Sequence, residues 1–209
     1  MTTACNRTAG CARPRRLACG NVSASDVVIV TGPPGAGKST TARALATSFP
    51  RAVHLHTDDF WHAIVAGGIA PYLPESDEQN QTVLRVVRNA AATYADGGFV
   101  VVVDGVVGPW MLHHFREPGT GTGTGMRRLH YVVLRPSRDE TLRRAVHRAE
   151  PGALVDEAPI ASLWGQFSDL GALEGHVLDT TAQTPSETLT AVRDAVDSGR
   201  FLLPSTPHV

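Results

Sequence analysis

The chain has 209 residues, 42% hydrophobic and 19% charged, with 20 Gly and 14 Pro; this is the profile of one compact domain rather than of a disordered polymer. A formal net charge of −1, with basic residues scattered along the sequence, argues against nucleic acid or an acidic membrane surface as the main partner. No apolar run approaches the roughly 20 residues that cross a bilayer, and the longest, such as Phe99 to Val103, have strand length.

Residues 1–25 carry Arg7, Arg13, Arg15 and Arg16 with no acid before Asp26, and read as a disordered leader outside the fold. Leu17 to Asn21 supply no apolar core for an export signal after Arg15-Arg16. Cys5, Cys11 and Cys19 all fall in this leader, lack the close pair of a zinc site, and suit a reducing, cytoplasmic setting. A single domain is expected over residues 26–203, with 204–209 as a tail.

Within that domain, strand-length runs over Val27–Thr31, Val53–His56, Phe99–Asp104, Leu129–Leu134 and Val177–Leu178 alternate with helical patterns over Lys38–Ser48, Asp77–Asp96, Arg138–Ala149 and Pro185–Asp197. Such alternation predicts an α/β three-layer sandwich: a five-stranded parallel sheet with right-handed crossovers and helices on both faces. The tract Gly119 to Gly125 reads as a loop tip.

The sharpest motif is Gly32-Pro33-Pro34-Gly35-Ala36-Gly37-Lys38-Ser39, which fits G-x-x-x-x-G-K-[ST] at every specified position between a strand and a helix. Its glycines let successive N–H groups turn inward, and the helix that follows, with Thr40 in its first turn, adds a positive dipole end; a polyphosphate is gripped mainly by main chain. Lys38, the chain's one lysine, is placed to neutralise the outer phosphates of ATP, and Ser39 to hold Mg²⁺. A second metal-side carboxylate is expected at the end of a buried strand, and Phe99-Val100-Val101-Val102-Val103-Asp104 provides Asp104 there; Asp104-Gly105 also reads as a plain turn.

Phosphoryl transfer to an alcohol needs a carboxylate beside the acceptor hydroxyl. The short strand Val53 to His56 runs into Thr57-Asp58-Asp59-Phe60-Trp61, which offers Asp58 as base, with Asp59 beside it as helper and the choice between the two left open. Either acid also reads as the N-cap of a helix over Phe60 to Val65. Phe60, Trp61, Tyr72 and Trp110 are candidate walls for the acceptor and equally candidate core residues, whereas His54, His56 and His62 read as scattered surface or packed histidines. Arg144 and Arg148, four apart on one helix face, are placed to clamp transferred phosphate or to form a solvated basic face. Asp179-Thr180-Thr181 and the residues to Pro185 read as a loop edging an adenine.

These residues resemble the small P-loop kinases, and most closely the chloramphenicol phosphotransferase-like family. The likeness runs from about Val27 to Val196 and rests on the Gly32 to Ser39 loop, the acid after the second strand, the Gly98 to Asp104 stretch followed by Gly105 and Gly108, Arg144-x-x-x-Arg148, and Asp179-Thr180-Thr181. It implies ATP-dependent phosphorylation of a small-molecule hydroxyl, with Asp58 as base, Lys38 on the phosphates and Arg144 and Arg148 on the transferred group. Zeta-toxin-type, gluconate and shikimate kinases share the plan. The acceptor region His62 to Asn80 departs from the antibiotic-binding segment, so an antibiotic, a sugar acid and a nucleotide sugar all remain open as acceptors. A regulatory P-loop NTPase switch is the reading from another class, and Thr57-Asp58-Asp59 argues against it because a switch has no need of a hydroxyl base.

Overall fold

The computed structural model describes residues 22–116, 128–147 and 154–204. The three cysteines, the Gly119 to Gly125 tract, Arg148 and residues 205–209 lie outside the described residues. Five strands, β1 (Val27–Thr31), β2 (Ala52–His56), β3 (Val100–Asp104), β4 (Leu129–Leu134) and β5 (Val177–Leu178), form one sheet in the order β2-β3-β1-β4-β5. Every pairing among them is parallel. The three inner strands β3, β1 and β4 are buried at every position, which is why they are near-continuous runs of aliphatic residues; β2, at the sheet edge, is half-exposed and admits His54 and His56.

Among the described residues, seven helices accompany the sheet: α1 (Lys38–Thr47), α2 (Thr57–His62), α3 (Asp77–Asp96), α4 (Leu112–Arg116), α5 (Arg138–Val146), α6 (Glu157–Gln166) and α7 (Pro185–Asp197). Strand alternation divides the core in two. Val28, Val30, Val102, Val132 and Leu134 face α1 and α7, where Leu45, Val192 and Val196 complete one cluster. Ile29, Val101, Val103, Tyr131 and Val133 face the other way onto Leu84, Val87 and Ala91 of α3 and Phe115 of α4. α3 forms because Val83, Leu84, Val87, Ala91 and Ala95 repeat at helical spacing on its buried side; truncating a fully buried residue such as Leu84 to Ala would cost about 2–5 kcal/mol. α7 starts sharply because Thr184 and Glu187 make a reciprocal capping box ahead of Pro185.

The expected elements are present with shifted ends: β2 begins at Ala52, β3 at Val100, and α1 stops at Thr47 with Ser48 as its C-cap. α5 ends at Val146, where His147 leaves helical geometry, short of the expected Ala149. α4 and α6, together with three 3₁₀ turns, are additional, and α2 spans Thr57–His62 where the sequence offered a helix over Phe60 to Val65. They are short or weakly patterned; α6 buries only Ile160, so tertiary contact rather than periodicity specifies it. Among the described residues, no helix is long and apolar enough to cross a membrane. The register aligns Val30 of β1 and His56 of β2 with Asp104 of β3, so the carboxyl ends of three adjacent strands open onto one edge.

Candidate active site

The loop from Gly32 to Gly37 joins β1 to α1. Gly32 has φ +141° and Gly35 φ +80°, conformations that residues with a Cβ adopt only with strain. Space excludes a side chain as well: a Cβ on Gly32 would lie 2.0 Å from Leu134 O, and one on Gly35 2.8 Å from Thr141 O. The loop is thereby pressed against the end of β4 and the first turns of α5. Gly37 is the left-handed N-cap of α1 and supplies no side-chain cap, so the first amides of α1 keep no side-chain acceptor. Lys38 folds back along the loop and donates from Nζ to Pro33 O at 2.9 Å. Thr40, in the same first turn of α1, is exposed. A cradle that glycines alone can form, ending on a helix N-terminus, fits the phosphate chain of a nucleotide.

Asp104 closes β3 on the α1 face of the sheet, with no solvent exposure. Ser39 donates from Oγ to Asp104 Oδ2 at 2.6 Å. The pleat puts His54 and His56 on that same face of β2: His54 Nε2 lies 2.5 Å from Asp104 Oδ1, and His56 Nδ1 lies 3.1 Å from both carboxylate oxygens. Burial opposes the ionisation of Asp104 most strongly, but hydrogen bonds from His54, His56 and Ser39 outweigh it and hold the carboxyl well below the usual carboxylate range. The hydrogen bond to Asp104 raises the pKa of His56 above its ordinary value, against its partial burial, with Asp58 and Asp59 adding attraction. Ser39 and Asp104 present hard oxygen donors suited to Mg²⁺, and no group of three or more His, Cys, Asp or Glu that could hold a metal occurs among the described residues. Few protein ligands, with phosphate and water completing the shell, is the usual Mg²⁺ arrangement.

α2 starts directly after His56. Thr57 is buried against Gly105, so tightly that a Cβ on Gly105 would sit 1.8 Å from Thr57 Oγ1. Asp58 and Asp59 lie in the first turn of α2; the N-cap is His56, and no side chain caps this end, so the capping expected of either acid is not seen. Their charges favour the helix N-terminus through its dipole. Asp58 is 57% exposed, with Oδ2 3.6 Å from His56 Nε2.

Of the aromatic candidates, Phe60 and Trp61 pack partly buried against the core, and Trp61 donates from Nε1 to Asn80 Oδ1 at 2.8 Å. Phe60 also lines an open cleft of about 570 Å³ between α2 and α3. Tyr72 is 45% exposed in the segment between α2 and α3. Trp110, also 45% exposed, lies on the 3₁₀ turn Pro109–Met111, its ring over Gly108 and 6.3 Å from the ring of Phe167.

Arg144 shares a second cleft, of about 460 Å³, with Gly37, Thr40, Glu140, Gln183 and Pro185. The Asp179 to Pro185 segment therefore does border the loop side of the sheet. Arg144 Nε donates to Glu140 Oε1 at 2.5 Å, and Nη2 donates to Thr180 O and Thr181 O at 3.0 and 3.2 Å. Hydrogen bonds from Arg143 and Arg144 pull the Glu140 carboxyl down to about 2. Arg148 falls outside the described residues. The sequence reading passed over His54 and His56; their spacing of two on a strand was the available signal, since it puts both rings on one face.

A family model described as an AAA domain matches residues 28–160. Among solved structures, the chain is similar to a sugar kinase from Janibacter sp. HTCC2649, at 22% identity and TM-score 0.61, over 82% of this chain and 94% of that one. It is also similar to a gluconokinase from Sinorhizobium meliloti 1021, at 17% identity and TM-score 0.58, over 85% and 97% of the two chains. A tunicamycin resistance protein from Deinococcus radiodurans aligns at 15% identity and TM-score 0.59, over 86% and 98%. At these identities the likeness is one of fold. No curated protein sequence matches the chain. With its Gly32 to Ser39 loop, parallel five-stranded sheet and matched span taken together, the chain belongs to the AAA domain family, on the P-loop fold shared with small-molecule kinases.

Proposed function

We propose that the protein is a phosphotransferase that moves the γ-phosphoryl group of Mg-ATP to a hydroxyl of a small molecule. One observation carries the reading: the glycine cradle follows β1 and the Asp58-Asp59 pair follows β2, the two strands that flank β3, and Asp104 at the end of β3 is hydrogen-bonded to Ser39 after β1 and to His56 of β2. A pure nucleotide switch needs the first of these features and not the acids after β2.

In this reading the main chain from Gly32 through Pro33, Pro34, Gly35, Ala36, Gly37 and Thr40 binds the phosphates and Lys38 neutralises the outer ones. Ser39 and Asp104 hold Mg²⁺, directly or through water, and the ion, when bound, offsets charge on the phosphate oxygens. Arg144 and Arg148 attend the transferred group. Asp58 accepts the acceptor's hydroxyl proton as its oxygen bonds to phosphorus and the bond to ADP breaks; Asp59 orients the acceptor, with Phe60, Trp61, Tyr72 and Trp110 as its apolar walls.

The test is Asp58→Asn and Asp59→Asn, each assayed with Mg-ATP and a panel of hydroxyl compounds that includes antibiotics, sugar acids and nucleotide sugars. Asp58→Asn retains nucleotide binding while transfer falls about 10²- to 10⁴-fold. Unchanged turnover in Asp58→Asn with loss in Asp59→Asn moves the base to Asp59, and nucleotide binding without acceptor-stimulated ADP release by the wild type favours the switch.

A further inference from the structure

His56 is the last residue of β2 and the N-cap of α2, so one residue sits at the joint between the sheet and the helix that carries Asp58. Its ring touches an acid at each nitrogen. Nδ1 lies 3.1 Å from both oxygens of Asp104, and Nε2 lies 3.6 Å from Asp58 Oδ2. Asp104 does not depend on His56 for its hydrogen bonds, since Ser39 and His54 already approach its two oxygens at 2.6 and 2.5 Å. Asp58 differs: its side chain is 57% exposed, and its Oδ2 lies 3.6 Å from His56 Nε2. An exposed aspartate without such a neighbour spreads over its rotamers, and a misplacement of about 1 Å at a reacting group costs about a hundredfold in rate.

We propose that His56 is a positioning residue: its imidazole, locked on Asp104, fixes the carboxylate of Asp58 at a set distance from the metal-side acid. The inference rests on the roles given above to Asp58 and Asp104, and it adds a residue that touches neither the phosphates nor the acceptor. Removing the ring leaves the P-loop cradle and the Ser39–Asp104 contact in place and frees Asp58 to turn toward solvent. Asn at this position presents a donor where Nδ1 stood and nothing where Nε2 stood, so His56→Asn separates the two contacts.

The experiment uses the full chain as wild type, His56→Asn and His56→Ala, with three readouts. Transfer kinetics give kcat and the KM for Mg-ATP. Added imidazole tests chemical rescue of His56→Ala, whose vacated site is partly open to solvent because the His56 side chain is 31% exposed. The carboxyl ¹³C resonance of Asp58, assigned with Asp58→Asn, reports the placement of that side chain without any turnover. Expected are a shifted Asp58 resonance in both variants, a fall in kcat of about ten- to hundredfold with the KM for Mg-ATP changed less than about threefold, and partial recovery of His56→Ala by imidazole. An Asp58 resonance unmoved in His56→Asn and His56→Ala overturns the proposal, as does a wild-type kcat in either variant. Absence of transfer by the wild type fells the kinase reading instead, and the carboxyl resonance still decides the role of His56.

Discussion

Replacing Gly105 by Ala probes how the acid pair is placed. The new Cβ would lie 1.8 Å from Thr57 Oγ1 and 2.9 Å from Thr57 Cβ and Cγ2, while ordinary contact begins near 3.4 Å. Thr57 is 1% exposed and β-branched, and turning its side chain leaves the 2.9 Å approach to its Cβ in place, so relief of the clash needs the first turn of α2 to back away by up to roughly 1.5 Å. Overpacking of this kind costs about 1–3 kcal/mol of stability, and a shift of more than about 1 Å at Asp58 costs about a hundredfold in transfer rate. The three atoms nearest the new Cβ all belong to Thr57 and none to Asp104 or the Gly32 to Ser39 loop, so affinity for Mg-ATP changes less than transfer does. The double variant Gly105→Ala with Thr57→Ala removes the worst clash and regains part of both losses. Thermal denaturation, calorimetric titration with Mg-ATP and steady-state transfer read the three quantities. Wild-type transfer in Gly105→Ala, or a loss seen equally in Mg-ATP affinity, would refute the idea that the Thr57–Gly105 contact sets the position of the acids.

Lys38→Met removes the charge proposed to neutralise the outer phosphates, and calorimetry is expected to show Mg-ATP affinity down about ten- to hundredfold with the melting temperature close to that of the wild type. Gly32→Ala, whose Cβ would fall 2.0 Å from Leu134 O at φ +141°, is expected to lower the melting temperature by many degrees and to abolish nucleotide binding with it. His54→Ala takes one of the three donors from the fully buried Asp104; thermal denaturation should register about 1–3 kcal/mol. Glu140→Gln loosens the hold on Arg144, and kinetics should show a changed KM for Mg-ATP with the Tm lowered by no more than a few degrees.

The glycine loop and the strand into Asp104 were legible because they are written locally: Gly32 to Ser39 occupies consecutive positions, and the aliphatic run into Asp104 marks a strand buried on both faces. The five strands were legible for the same reason. The surroundings of Asp58 and Asp59 were not. α2 begins at Thr57, before the two acids rather than after them, because Thr57 packs on Gly105, a contact between residues 48 apart in the chain. His54 and His56 face Asp104 only because β2 pairs in register with β3, and a list of histidines carries no register. Trp61 lies against the core because Asn80 of α3 takes its N–H, where its neighbours in sequence suggested an acceptor wall with equal force.

In the proposed reaction a phosphoryl group leaves ATP for an alcohol and not for water. Phosphorus NMR of the wild-type protein with Mg-ATP and each hydroxyl compound in turn reads this directly. A new phosphomonoester resonance is expected with one acceptor class, growing in step with ADP and lost in Asp58→Asn. Inorganic phosphate as the only product, formed at one rate whatever acceptor is present, would contradict it.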